Sequence, residues 1–281
     1  MVRAGPTWLS TLRYPALLVG LFLGLQLVAR SLGLPSAQWP LFAAPLTLLA
    51  LIMSLPLRLR RLWDERAPWC RLGVVAPLQR ALVALVGGWA KALALLVPIA
   101  ALSLASGLAR WQADLSWSEL VNALALGLGV GFAEELLFRG WLWGELALHL
   151  GRARGAIAQA VIFSLVHARA DLGIAGLVGL LGGLFLLGLA LALQRRADGG
   201  LLWGAVGLHG GLVGGWFALL QGALVIRPDS PLWLVGPGGA NPNPVGGLPG
   251  WLGLSLVLLA LGRTVRLRDV QGITDNARIC P

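Results

Sequence analysis

Apolar runs long enough to cross a bilayer recur along this chain, and nothing between them is long enough to fold as a soluble domain. A spanning helix needs about 20 predominantly apolar residues. Eight segments qualify, with loosely defined ends: residues 15–28, 41–57, 81–108, 120–138 with helix continuing towards 150, a short one at 155–168, then 172–193, 201–220 and 251–261. Composition agrees. Hydrophobic residues make up 57% and charged residues 12%, with a mean hydropathy of +0.79, where a soluble domain carries roughly a quarter charged residues. The expected fold class is all-α, a polytopic transmembrane helix bundle of about eight spans. The expected organisation is N-terminal transmembrane helices over 1–119, a core over 120–222, and a loop, last helix and tail over 223–281. The first span, flanked by Arg3 and Arg13, lacks a small-residue cleavage site and reads as uncleaved.

The net charge of +10 could suggest nucleic acid. No basic stripe with interleaved aromatics occurs, so nucleic acid is not an expected partner. The arginines instead flank the apolar runs, as residues that set orientation do. With eight spans and a cytoplasmic N-terminus, Arg3, Arg13, Arg58, Arg60, Arg61, Arg66, Arg71, Arg80, Arg152, Arg154, Arg195, Arg196, Arg263, Arg266, Arg268 and Arg278 fall on the cytoplasmic side. Only Arg30, Arg110, Arg169 and Arg227 fall opposite, a split of 16 to 4. The expectation is a multi-pass integral membrane protein with both termini cytoplasmic, in a bacterial plasma membrane or an internal membrane. Two cysteines, Cys70 and Cys280, are too few for a disulfide framework.

Chemistry concentrates in one place. The stretch from Leu120 to Ala133 carries no charge, and then Glu134, Glu135 and Arg139 arrive within six residues. Carboxylates in hydrocarbon are costly, and an intramembrane ionisable residue marks a functional site by default. Glu135 and Arg139 are four apart with the acid first, the favourable helical ion-pair order. Glu134 is rotated by about 100° and needs another partner. Two histidines lie in other spans: His167 in Phe163-Ser164-Leu165-Val166-His167, and His209 in Gly207-Leu208-His209-Gly210-Gly211. A carboxylate beside an imidazole in a dry cavity is how a general base for water is built. His149, at the end of the fourth helix beside arginines, reads as an interfacial histidine. A buried polar cluster that merely pins helices is the alternative for the same residues. A proton-coupled transporter would need broken spans in repeated halves, and none is evident.

Glu134-Glu135-x-x-x-Arg139, Phe163-x-x-x-His167 and then His209 resemble the CPBP family of intramembrane proteases, also called type II CaaX prenyl endopeptidases or the ABI family. The resemblance covers roughly residues 120–220. It implies an eight-helix fold and an intramembrane endopeptidase acting on a membrane-associated, possibly prenylated, protein or peptide. It implies that Glu134 and His167 activate water, that Glu135 and Arg139 support them, and that His209 helps to stabilise the oxyanion. A glutamate with two histidines could also ligate zinc with one position open. The reading favoured here needs no cofactor, with zinc on Glu134, His167 and His209 as the other possibility. One position departs from the family pattern. Asn or Asp is usual four residues after the last histidine, and Val213 stands there. A non-catalytic membrane scaffold or immunity or assembly factor that keeps the polar core is the alternative function.

Overall fold

The computed structural model describes residues 5–239 and 241–270. Arg3, Arg278 and Cys280 lie outside the described residues, and so do the two termini whose side of the membrane the arginine pattern addresses. The chain is a set of helices: α1 Trp8–Ser31, α2 Trp39–Leu62, α3 Pro68–Arg71, α4 Leu78–Ala105, α5 Trp117–Glu135, α6 Trp143–Leu150, α7 Arg152–Leu165, α8 Gly173–Ala197, α9 Trp203–Gly222, α10 Leu232–Val235 and α11 Leu248–Val270. Two three-residue strands, β1 Ala109–Trp111 and β2 Leu224–Ile226, pair antiparallel with Arg110 opposite Val225. Among the described residues, seven helical stretches are long and apolar enough to cross a membrane. The all-α polytopic class expected from the sequence is what is found.

The fifth expected span is the exception. It forms α7, but α7 has only 14 residues. At about 1.5 Å per residue it is roughly 21 Å long, short of a hydrocarbon core of about 30 Å. The fourth expected helix also differs. Between α5 and α6, residues Leu136–Leu142 form a π-helical segment, so the helix that carries the glutamates widens immediately after them.

The chain divides into two compact units, residues 1–71 and 72–281. The expected boundaries at 119/120 and 222/223 both fall within the second. In the first unit α1 packs on α2. There Tyr14 hydrogen-bonds Ser54 across 2.9 Å, and Arg58 Nη2 donates to the Ser10 carbonyl at 3.0 Å.

In the second unit α9 lies between α4 and α5 and packs extensively on both. Without a hydrophobic drive between helices in lipid, close approach of backbones at small residues does the work. Gly127 and Gly210 show how close: a Cβ on Gly127 would sit 2.5 Å from the Gly210 carbonyl oxygen. That contact sets the distance at which α5 presents its last turn to α9. The start of α5 is fixed by a capping box, with Ser116 N–H donating to Glu119 Oε2 at 2.7 Å and Glu119 N–H to Ser116 Oγ at 3.2 Å. Between α6 and α7 the chain reverses at Gly151, whose φ of +80° suits only glycine. Polar side chains then seat α7 on α8. Gln159 Nε2 donates to the Gly188 carbonyl at 3.1 Å, and Ser164 Oγ to the Leu181 carbonyl at 2.7 Å.

Candidate active site

The last turn of α5 delivers two adjacent carboxylates, and the helical rotation between them separates their surroundings. Glu135 is fully buried, whereas the Glu134 side chain is 27% exposed. Glu135 Oε1 accepts from Arg139 Nη1 at 2.7 Å and lies 2.9 Å from His209 Nδ1. Arg139 is also fully buried. Its guanidinium carbon stands 4.1 Å from the centroid of the Phe163 ring, so an aromatic face shares the work of holding the charge. The pair expected at four-residue spacing is therefore present, and it is tied to a second helix through His209.

Glu134 faces the two histidines. Its Oε2 lies 3.5 Å from His167 Nε2 and 3.9 Å from His209 Nε2. The far side of each imidazole is engaged. His167 Nδ1 sits 2.7 Å from the Phe163 carbonyl oxygen, one turn back at the end of α7. A carbonyl can only accept, so Nδ1 carries the proton and Nε2 of the neutral ring presents a lone pair towards Glu134. His209 Nδ1 faces Glu135 Oε1, already engaged by Arg139, so it too is the protonated nitrogen. Phe163 lies against both imidazoles, with ring centroids 4.9 Å from His167 and 5.7 Å from His209. One buried aromatic thus spaces the arginine and both histidines.

All five residues singled out from the sequence, Glu134, Glu135, Arg139, His167 and His209, meet here. They come from α5, the segment after it, the turn that ends α7, and α9. His149 does not join them: it lies in α6, beyond the π-helical segment. Chemically the group offers a carboxylate oxygen and two imidazole nitrogens converging on a partly open point, beside an ion pair that water does not reach.

Zinc would call on Glu134, His167 and His209. Among the described residues no group of three His, Cys, Asp or Glu side chains is disposed to hold a metal ion. The residues as they stand do not fit one.

Residues 115–214 match the family described as type II CAAX prenyl endopeptidase Rce1-like. The match covers about a third of the chain and makes this core similar to the CPBP/CAAX protease family. All five residues of the cluster lie inside the matched segment, as does Val213. That family is one of proteases, and the long apolar helices among the described residues make this an integral membrane protein. No curated protein and no solved structure matches the chain.

Sequence reasoning missed several residues that position this cluster. Gln159 and Ser164 lock α7 to α8. Their signal was available, since both are polar residues inside an apolar stretch. Arg195 was counted only among the orienting charges, yet its guanidinium reaches the carbonyl oxygens of Arg139 and Gly140.

Proposed function

We propose that the chain is an intramembrane endopeptidase that hydrolyses a peptide bond of a membrane-associated protein, with Glu134 as the general base. The convergence of His167 Nε2 and His209 Nε2 on Glu134 Oε2, at 3.5 and 3.9 Å, carries this reading. A water bonded to Glu134 and His167 loses a proton to Glu134 as its oxygen attacks the scissile carbonyl. The carbonyl oxygen takes up negative charge. Collapse of the tetrahedral intermediate returns the proton from Glu134 to the leaving amine. General acid–base help of this kind is worth about 10²–10⁴ in rate. His209 can donate from Nε2 to the developing oxyanion only as the imidazolium, because its Nδ1–H is committed to Glu135. Glu135 and Arg139 hold that imidazole and take no proton themselves.

The substrate class proposed is a peptide tethered to the bilayer, including one carrying a prenylated cysteine. The test is cleavage of a panel of internally quenched peptides, farnesylated and unmodified, by the purified protein in lipid nanodiscs. Glu134→Gln and His167→Ala are each expected to abolish turnover. Cleavage unchanged in both variants would overturn the mechanism. Val213 favours a second reading, a non-catalytic scaffold that keeps the polar core, and turnover that disappears with Glu134→Gln eliminates it.

The proposed orientation has a cytoplasmic N-terminus and α7 as a crossing, despite its length. If α7 is not a crossing, every later segment changes side and the arginine split falls from 16 to 4 to 12 to 8. The positive-inside tendency therefore argues that α7, with its flanking turn, passes the hydrocarbon. Thiol labelling of cysteines placed at Arg152 and Arg169 should find them on opposite sides; labelling from one side would refute the topology.

A further inference from the structure

The π-helical segment sits directly between the glutamates and α6, and its exit to α-helical pairing has a consequence for one carbonyl. In π pairing an N–H reaches the carbonyl five residues back, and in α pairing four. Trp143 N–H still bonds the Phe138 carbonyl, five back. From Trp143 the chain is α-helical, and where pairing five back gives way to pairing four back one carbonyl is left without a backbone N–H. The carbonyl next after that of Phe138 at this exit is Arg139 O. It belongs to the residue whose side chain neutralises Glu135.

Arg195, in the last turn of α8, supplies the missing donor. Its Nη1 donates to Arg139 O and lies 3.4 Å from Gly140 O, while its Nε donates to the Gly200 carbonyl at 3.1 Å. One fork therefore ties the skipped carbonyl to the turn that follows α8. A guanidinium can do this because its donors are rigid and diverge, which a lysine ammonium cannot reproduce.

Resting on the protease reading above, we propose that Arg195 is a positioning residue for the Glu134 site. It stabilises the π register by capping the carbonyl that this register releases. A π insertion offsets everything after it by about 100° relative to a continuous α-helix, so the register sets how the glutamates before it are phased against Arg139 and the buried face of α6. Without the cap, continuous α pairing becomes the better-satisfied alternative, and the Glu135–Arg139–His209 arrangement loses its fixed geometry. Arg195 touches no reacting atom.

The test combines a structural and a kinetic readout on the full chain in nanodiscs. Arg195→Gln is compared with Arg196→Gln, which removes the neighbouring charge, one that pairs with Asp269 at 3.2 Å. Amide hydrogen exchange across 136–146 should accelerate at least tenfold in Arg195→Gln and stay at the wild-type rate in Arg196→Gln. On a farnesylated quenched peptide, Arg195→Gln should lower kcat about 10- to 100-fold, the scale of a misplaced catalytic group, with KM within about twofold. Arg195→Lys should fall between the two. Exchange across 136–146 that is unchanged in Arg195→Gln overturns the proposal. If that variant does not fold, exchange in Arg195→Lys equal to wild type overturns it, and faster exchange confined to 136–146 supports it. A wild type that cleaves no peptide counts against the protease reading alone, because the exchange measurement still decides the role of Arg195.

Discussion

His209 donates its Nδ1–H to Glu135 Oε1 across 2.9 Å, on the oxygen that Arg139 also holds at 2.7 Å. A carboxylate on α5 thus orients an imidazole on α9, and the cationic partner lies one turn along its own chain. The two adjacent glutamates therefore have separable consequences when changed. Glu135→Gln leaves the Arg139 charge buried without its carboxylate, and breaking a buried pair in this way costs about 3–5 kcal/mol. Glu134 is partly open, and its Oε2 stands 3.5 Å from His167 Nε2 and outside the buried ion pair. Its replacement by Gln should change stability by less than about 1 kcal/mol while reducing hydrolysis about 10²–10⁴-fold. Unfolding of both variants in the same detergent, alongside turnover, checks the contrast. Equal destabilisation by the two would contradict the division of labour.

The spans, the Glu135–Arg139 spacing and the two intramembrane histidines were legible because hydropathy and helical periodicity act locally. The π segment was not, since Leu136 to Leu142 reads as ordinary apolar helix and the extra residue in the turn shows only in the pairing of the backbone. Arg195 was hidden for a related reason. At the end of an apolar run it looks like any orienting charge, and only the placement of α8 reveals the carbonyl it caps. The length of α7 was masked by apolar residues that continue past Leu165 into the turn bearing His167.

The close contact of α5 and α9 makes a further prediction at Gly127. A Cβ there would meet the Gly210 carbonyl oxygen at 2.5 Å, and backbone cannot step aside as a flexible side chain can. Gly127→Ala should destabilise by about 1–3 kcal/mol, as overpacking does. It should also lower activity by displacing Glu135 from His209. Gly129 is the control, because a Cβ there meets nothing within 4 Å. Gly129→Ala should be neutral or stabilise by up to about 1 kcal/mol through helix propensity. Thermal unfolding of the two variants in nanodiscs decides it.

Asp198, just past α8 and outside the spans, gives a pH dependence. Burial pushes its carboxyl above the usual range, opposed by the hydrogen bond from Gln194 Nε2 at 2.8 Å and by the charges of Lys91 and Arg268. A folded-state pKa above the unfolded one means that the fold binds the proton more tightly. This contribution to stability is complete below the unfolded value of about 3.9 and is lost as pH rises through the folded one. Asp198→Asn cannot lose it. The variant's unfolding temperature relative to wild type should therefore rise from pH 3.5 upward and level off once Asp198 is ionised in the folded protein. A difference that stays flat across that window would show that burial of Asp198 carries no linkage.

Val213 lies one helical turn after His209 on α9, so its side chain shares the face of the imidazole. An oxyanion donor placed there would act with His209 Nε2, and a valine side chain offers none. Losing one such donor typically costs about 10²–10³ in kcat. Val213→Asn should therefore raise kcat on a cleavable membrane-tethered peptide by at least about tenfold, with KM little changed, because the added bond forms only as charge develops. The double variant Val213→Asn with Glu134→Gln should return to background. A single variant that gains nothing while remaining folded would show that His209 alone suffices for the oxyanion. Turnover that appears only with Val213→Asn would mean that the chain holds a complete base and lacks a single donor.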